Sequence, residues 1–202
     1  MPVLLCDLGS VLFEVSFDRL FDRIRAATGG RVQLVGPQDL RDEAFRAFET
    51  GEIGESEYAR HLRARLGWGG SDPELVDIFS DVYGSVDVGV LEVLMELRER
   101  GWHLVGADNS NPWHESQWRA RYATQLAVFH RVISSVETGV RKPDPRFFAQ
   151  AMRDVPPGLA PRLFVDDRPE NVSAARRAGL DAHLFRGAAG LRAACMALGA
   201  GV

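Results

Sequence analysis

Cysteine is nearly absent from this chain: 202 residues contain two, Cys6 and Cys195, far apart and in apolar surroundings. Neither falls in a CxxC or Cys/His spacing. That excludes a zinc site or a disulfide framework and leaves two small buried hydrophobes of a reducing compartment. An excess of positive charge is also missing. Lys and Arg total 24 against 28 Asp and Glu, a formal charge of −4, and no basic block reverses the sign locally, which excludes non-specific nucleic-acid binding. The arginines of HLRARL and WRARY read as solvated helix faces. No uninterrupted apolar run approaches the roughly 18 residues of a membrane span. The first residues carry no basic stretch before their short apolar run, and a charge arrives at Asp7, so a secretory signal is not expected and the cytoplasm is. Neither GxGxxG nor a P-loop GxxxxGKS or GxxxxGKT occurs, which removes dinucleotide and P-loop enzymes. Internal repeats and low-complexity segments are absent as well.

What the chain does contain is alternation, over a length sufficient for one sizeable core carrying a smaller inserted unit. Short apolar runs recur as VLLCDL at 3–8, HLVGA at 103–107, RVIS at 131–134 and RLFVDD at 162–167. They are continuous rather than alternating, as in a parallel sheet covered on both faces. Helical patterns separate them. VLEVLMELRERG stops at Gly101; PRFFAQAMRDV starts after Asp144, an N-cap, with Pro145 at its first position; NVSAARRAG leads to Gly179 and a short DAHLF strand. LRAACMAL reads as a last packed helix. Strand and helix in this order predict an α/β fold, a doubly wound, Rossmann-like parallel sheet. Residues 16–85 break the pattern. FDRLFDRIRAATG, DLRDEAFRAFETG, SEYARHLRARLG and PELVDIFSDVYG all read as amphipathic helices, with no strand among them. The expected organisation is therefore a core of residues 1–15 and 86–202 with an inserted α-helical cap of residues 16–85.

Parallel strands end on one sheet edge, where ligands bind. Asp7 closes the first strand, Asp108 the second, and Asp166 with Asp167 the fourth; Lys142 follows the third in GVRKPDP. Like charges about 4 Å apart repel by roughly 4 kcal/mol at an effective dielectric near 20, so four carboxylates beside one lysine call for a cation. Magnesium fits, because it takes carboxylate oxygens and keeps several waters.

LLCDLGSVLF, GVRKPDPRFF and LFVDDRPENVSAA, in this order and spacing, resemble the motifs of the haloacid dehalogenase-like hydrolases across roughly residues 3–186. GEIGESEY resembles a cap turn of one branch, which writes its first motif DLGN or DLGG and contains sugar-phosphate phosphatases of the glucose 1-phosphatase kind. The resemblance implies a magnesium-dependent phosphatase of small phosphate monoesters, sugar phosphates among them, with no nucleic-acid or membrane partner. Asp7 would attack phosphorus and form an aspartyl-phosphate, splitting one displacement into two. Lys142 would neutralise Asp7 and the phosphoryl oxygens as a point charge. Asp7, the Gly9 carbonyl and Asp166 would hold Mg2+, with Asp167 helping directly or through water and Asn171 orienting them. Gly9, Ser10, Asp108, Asn109 and Lys142 would line the phosphoryl site, where catalysis is mostly positioning and electrostatics.

Two positions depart from the family pattern. Most of its phosphatases place a second Asp two residues after the nucleophile, as acid and base; here that residue is Gly9, which can do neither. Glu14 or a cap residue is a candidate replacement. Asp108 stands where the related branch has a Ser that donates to a phosphoryl oxygen, and an ionised carboxylate only accepts. It either pairs with Lys142, or binds metal, or the chain slips by two so that Ser110 donates. Together the departures admit an alternative, a catalytically impaired binding or regulatory protein on the same fold. A metal-free haloacid dehalogenase matches at Asp7 and Lys142 but has no use for the acidic pair. Among lesser features, His114 is read as packing or as reaching the site's mouth, Trp113 and Trp118 as packing or as lining a substrate pocket, Phe45, Phe48 and Tyr58 as the cap's core, and Arg141 as exposed or substrate-facing.

Overall fold

The structure, a computed structural model, describes residues 1–32, 37–153, 155–160 and 162–199. The chain begins with β1 (Val3–Cys6) and β2 (Phe13–Val15), and then runs through four helices, α1 (Asp18–Ala27), α2 (Glu43–Glu49), α3 (Glu55–Leu66) and α4 (Asp72–Ser80), before β3 (Tyr83–Val86). The remainder alternates: α5 (Val88–Glu99), β4 (His103–Asp108), α6 (Pro112–Arg121), α7 (Ala123–Leu126), β5 (Arg131–Ser134), α8 (Ser135–Thr138), α9 (Pro145–Ala151), β6 (Arg162–Asp166), α10 (Pro169–Arg177), β7 (Asp181–Leu184) and α11 (Ala188–Gly199).

Five strands form one parallel sheet in the order β5-β4-β1-β6-β7, with β1 at its centre. Successive residues of its strands face opposite ways. Leu4, Cys6, Leu104, Leu163 and Val165 enter one apolar cluster, and Val3, Leu5, Val105, Ala107 and Phe164 enter the other. Burial on both faces is why these strands read as unbroken apolar runs. The expected doubly wound α/β core is what the chain adopts. Local signals behave as anticipated at α9, where Asp144 caps the Arg146 amide and Pro145 opens the helix, and at Gly101, whose φ of 81° ends the turn after α5.

The helical reading of residues 16–85 needs one correction. α4 stops at Ser80, and Tyr83–Val86 pairs antiparallel with Phe13–Val15 as a separate two-stranded sheet. Strands of three and four residues are too short to show a period, and their partner is a segment 70 residues away. Phe45, Phe48 and Tyr58 pack together as expected, but Trp113 of α6 joins them. Phe48 meets Tyr58 at 4.4 Å and Trp113 at 5.0 Å between ring centroids. Trp113 also donates to Glu55 (2.8 Å), and Trp118 donates to Ser110 Oγ (3.0 Å); both tryptophans are packing residues. Cys6 and Cys195 are buried free thiols, and burial pushes Cys195 up to about 12, keeping it protonated. Among the described residues no helix is long and apolar enough to cross a membrane.

Candidate active site

The carboxylate of Asp7 emerges directly beyond β1. Its amide donates to the Val165 carbonyl at 2.9 Å, extending the ladder one residue past the strand, and its side chain is buried. Lys142 reaches it from the segment after α8, buried to 1% exposure. The three protons of its ammonium go to Asp7 Oδ1 (2.5 Å), Asp166 Oδ2 (2.8 Å) and the Ala107 carbonyl (2.7 Å). Burial opposes the lysine's charge, but Asp7, Asp166 and Asp108 outweigh it and hold Lys142 above the ordinary lysine value. Lys142 is the chain's only lysine, a compositional signal that singles it out as surely as its motif does.

Asn109 lines the same cavity as Asp7, and its side chain is committed to the lysine's main chain. Its amide nitrogen donates to the Lys142 carbonyl (2.9 Å) and its oxygen accepts from the Lys142 amide (2.8 Å). Both ends of the side chain are occupied in fixing the main chain that carries the lysine. Ser10 has left-handed backbone (φ 61°), and its amide donates to Phe13 (2.8 Å), so that N–H is not free for a phosphoryl oxygen.

Asp166 is fully buried and saturated with donors: Lys142, Asn171 Nδ2 at 2.9 and 3.0 Å, and the Arg168 amide at 2.9 Å. Asp167 is half-buried and faces the cavity. Oxygens of Asp7, Asp166 and Asp167 all lie within 4.8 Å of one another. Burial pushes Asp7 well above the usual aspartate range, Lys142 opposing and Asp166 and Asp108 reinforcing. Asp167 is raised by burial and by Asp166. Negative charge thus exceeds what one lysine neutralises, and the donors are hard oxygens, which is the condition a magnesium site requires.

Asp108 ends β4 in register with Ser134 and is buried. Of the three expected accounts, the first holds in part: Lys142 attracts Asp108 through its charge but donates its protons elsewhere. The carboxylate cluster suited to a cation comprises Asp7, Asp166 and Asp167, and there is no slip, because Ser110 is buried and occupied with Trp118. Instead Asp108 faces Gly9. Burial dominates and pushes the carboxyl up to about 7, against the Lys142 charge and the Gly9 N–H, which both favour its charged form. A Cβ added to Gly9 would stand 3.8 Å from Asp108 Oδ1 and 3.2 Å from Val15 Cγ2. The space an acid at position 9 would fill is already bordered by the acid at 108. Glu14 is exposed and lines a different depression, so it is no substitute.

These groups open into a cavity of about 120 Å3 between the sheet edge and the helices preceding β3. His114 lines it but is committed to packing: Nε2 donates to the Phe79 carbonyl at 3.0 Å, the ring stacks on Phe79, and burial pushes it down to about 4. Arg141 lies beside Glu49 at 2.8 Å. Arg41, Glu49 and Arg168 also reach the cavity, and sequence reading passed over all three, since arginines and a helix-terminal glutamate carry no motif.

A family model described as haloacid dehalogenase-like hydrolase matches residues 1–179. Over 194 residues the chain is 32% identical to a glyceraldehyde 3-phosphate phosphatase of Methanopyrus kandleri, covering 85% of this chain and 81% of that protein. It is 27% identical over 143 residues to a sesquiterpene phosphatase of Aspergillus oryzae, covering 70% and 71%. Its fold matches a solved enzyme of the same family from Bacteroides thetaiotaomicron, in complex with magnesium and inorganic phosphate, with a TM-score of 0.76 and 22% identity over 92% of this chain and 94% of that one. The α/β core is the fold of that solved enzyme, and the family match makes the chain a hydrolase. The chain belongs to the haloacid dehalogenase-like hydrolases.

Proposed function

We propose that the protein is a magnesium-dependent phosphatase of small phosphate monoesters. The observation that carries this reading is the placement of Asp7, held by Lys142 at the floor of a polar cavity, with Asp167 free to face the same space. Asp7, Asp166 and Asp167 would offer oxygens to the metal together with the Gly9 carbonyl, Asp166 also orienting Lys142. When bound, magnesium supplies charge stabilisation to the phosphoryl oxygens. Asp7 attacks phosphorus as the bond to the leaving oxygen breaks; water then displaces the Asp7 oxygen and releases inorganic phosphate. Asp108 stands beside the place of the missing second acid. It gives its proton to the leaving oxygen and takes one from the attacking water. A protonated carboxyl is also a donor, which removes the repulsion an ionised Asp108 would present to phosphate.

A panel of phosphate monoesters assayed with and without magnesium tests the reading. Turnover that needs magnesium and falls at least about 1,000-fold in Asp7→Asn is expected, since that variant lacks the nucleophile. Absence of turnover by folded protein on every substrate would instead support the non-catalytic binding reading that Gly9 and Asp108 raise.

A further inference from the structure

The cavity above Asp7 carries positive charge that phosphoryl transfer, as described, does not use. Lys142 has no proton left over. Three arginines line the same cavity from three separate segments: Arg41 ahead of α2, Arg141 next to Lys142, and Arg168 just before α10. Arg141 is ion-paired with Glu49 and Arg168 with Glu170. Arg41 has no such partner: among the described residues no carboxylate lies within ion-pair distance of it, and its guanidinium rests over the Phe17 ring at 5.3 Å. The Arg41 side chain stays solvent-accessible at the rim; partial burial, Arg168 and Arg141 weaken its hold on its proton, and Glu49 and Asp167, acting at a distance, only partly offset them. The Arg141–Glu49 pair is close but poorly aligned, so that Arg141 Nε and Glu49 Oε2 are buried without a well-formed hydrogen bond. Like-charged guanidiniums converging on a cavity, one unpaired and one with an unused donor, are a recognition site lacking its anion.

We propose that Arg41, Arg141 and Arg168 form a second anion subsite, so that the substrate is a compact phosphate monoester carrying a second anionic group, a carboxylate or another phosphate. This rests on the phosphatase reading, in which one phosphate is taken at Asp7 and the other anion sits among the arginines. A cavity of about 120 Å3 is well below the roughly 300–1,000 Å3 of sites for larger ligands, which favours a short frame over a long apolar chain. Arg is the residue suited to the task, because its planar fork matches carboxylate and phosphate equally well.

Three substrates on one carbon frame test the proposal: glycerol 3-phosphate, 3-phosphoglycerate and glycerol 1,3-bisphosphate. At least about 10-fold higher kcat/KM is expected for one of the two doubly anionic esters, and which one identifies the second group. Arg41→Met should lower that preference at least about 10-fold, with Arg41→Lys between, and Arg168→Gln should lower it too. Equal kcat/KM for all three, or an equal loss on all three in Arg41→Met, would overturn the subsite, the arginines then serving the transferred phosphoryl group itself. If nothing is turned over, calorimetric binding of the same compounds to the Asp7→Asn protein still decides. A preference that depends on Arg41 would uphold the subsite while the phosphatase reading fails, and no preference would overturn the subsite.

Discussion

Positions 9 and 108 act as one unit. A Cβ at 9 would press on Val15 and approach Asp108, so an acid restored there, Gly9→Asp, would meet a second carboxylate in a buried space. Two such groups cannot both ionise cheaply. Gly9→Asp alone is therefore expected to lower activity and stability, and Asp108→Ser alone to lower activity, because each removes or disables the single proton carrier. The double variant, which restores the common arrangement of the family, should exceed the product of the two single effects by at least about 5-fold in kcat/KM, the size of coupling expected for groups in contact. Additive effects in this cycle would show that the two positions work independently. Asp7, Lys142 and the acidic pair were legible in the sequence because each ends or follows an apolar run at family spacing. The raised state of Asp108 was not, since burial is its main cause, and burial is a property of the folded chain. The role of Asn109 was hidden for a similar reason: its partner is Lys142, 33 residues further along.

Helix α6 joins two parts of the molecule. It starts from Asn111, whose side chain accepts from the His114 amide, and it sends His114 to the carbonyl of Phe79 in α4. Since that carbonyl can only accept, His114 Nε2 carries a proton, and burial favours the neutral ring. Burial holds His114 down to about 4, below the ordinary histidine value near 6.5. Between these values the unfolded chain binds a proton that the folded chain does not, so stability is present above about pH 6.5 and is lost as pH falls toward 4, by on the order of 3 kcal/mol. His114→Gln keeps a donor for Phe79 and has nothing to titrate. Its denaturant-unfolding free energy should fall less steeply than the wild type's over that interval, and an unchanged slope would place the acid sensitivity elsewhere. At this scale the long elements of the sheet and its helices were readable from periodicity and caps. β2 and β3 were not, because a short strand pair is defined by its partner.

Across the whole molecule, the helices between β2 and β3 and the α/β core share one apolar cluster, which runs from Leu4 and Leu8 through Phe45, Tyr58 and Phe79 to Trp113 and Leu191. Periodicity identified which faces are apolar but not that faces from two parts of the chain meet. A shared core predicts one cooperative unfolding transition. The cost of the site falls on that same transition, because Asp7, Asp108 and Asp167 are all pushed up by burial, and a bound cation offsets it. Magnesium at about 100 times its dissociation constant adds roughly 2.7 kcal/mol to the folded state, or about 5–10 °C in Tm for a chain of this size. The single transition should move by that amount as a whole. Asp167→Asn removes a cluster carboxylate that Lys142 does not bind, and so should reduce or abolish the shift, while the metal-free Tm stays level or rises because a charge that burial disfavours is gone. A shift that survives in full in Asp167→Asn would assign the metal to Asp7 and Asp166 alone. Two transitions, with magnesium moving only one, would mean that the shared cluster does not couple the helices to the core.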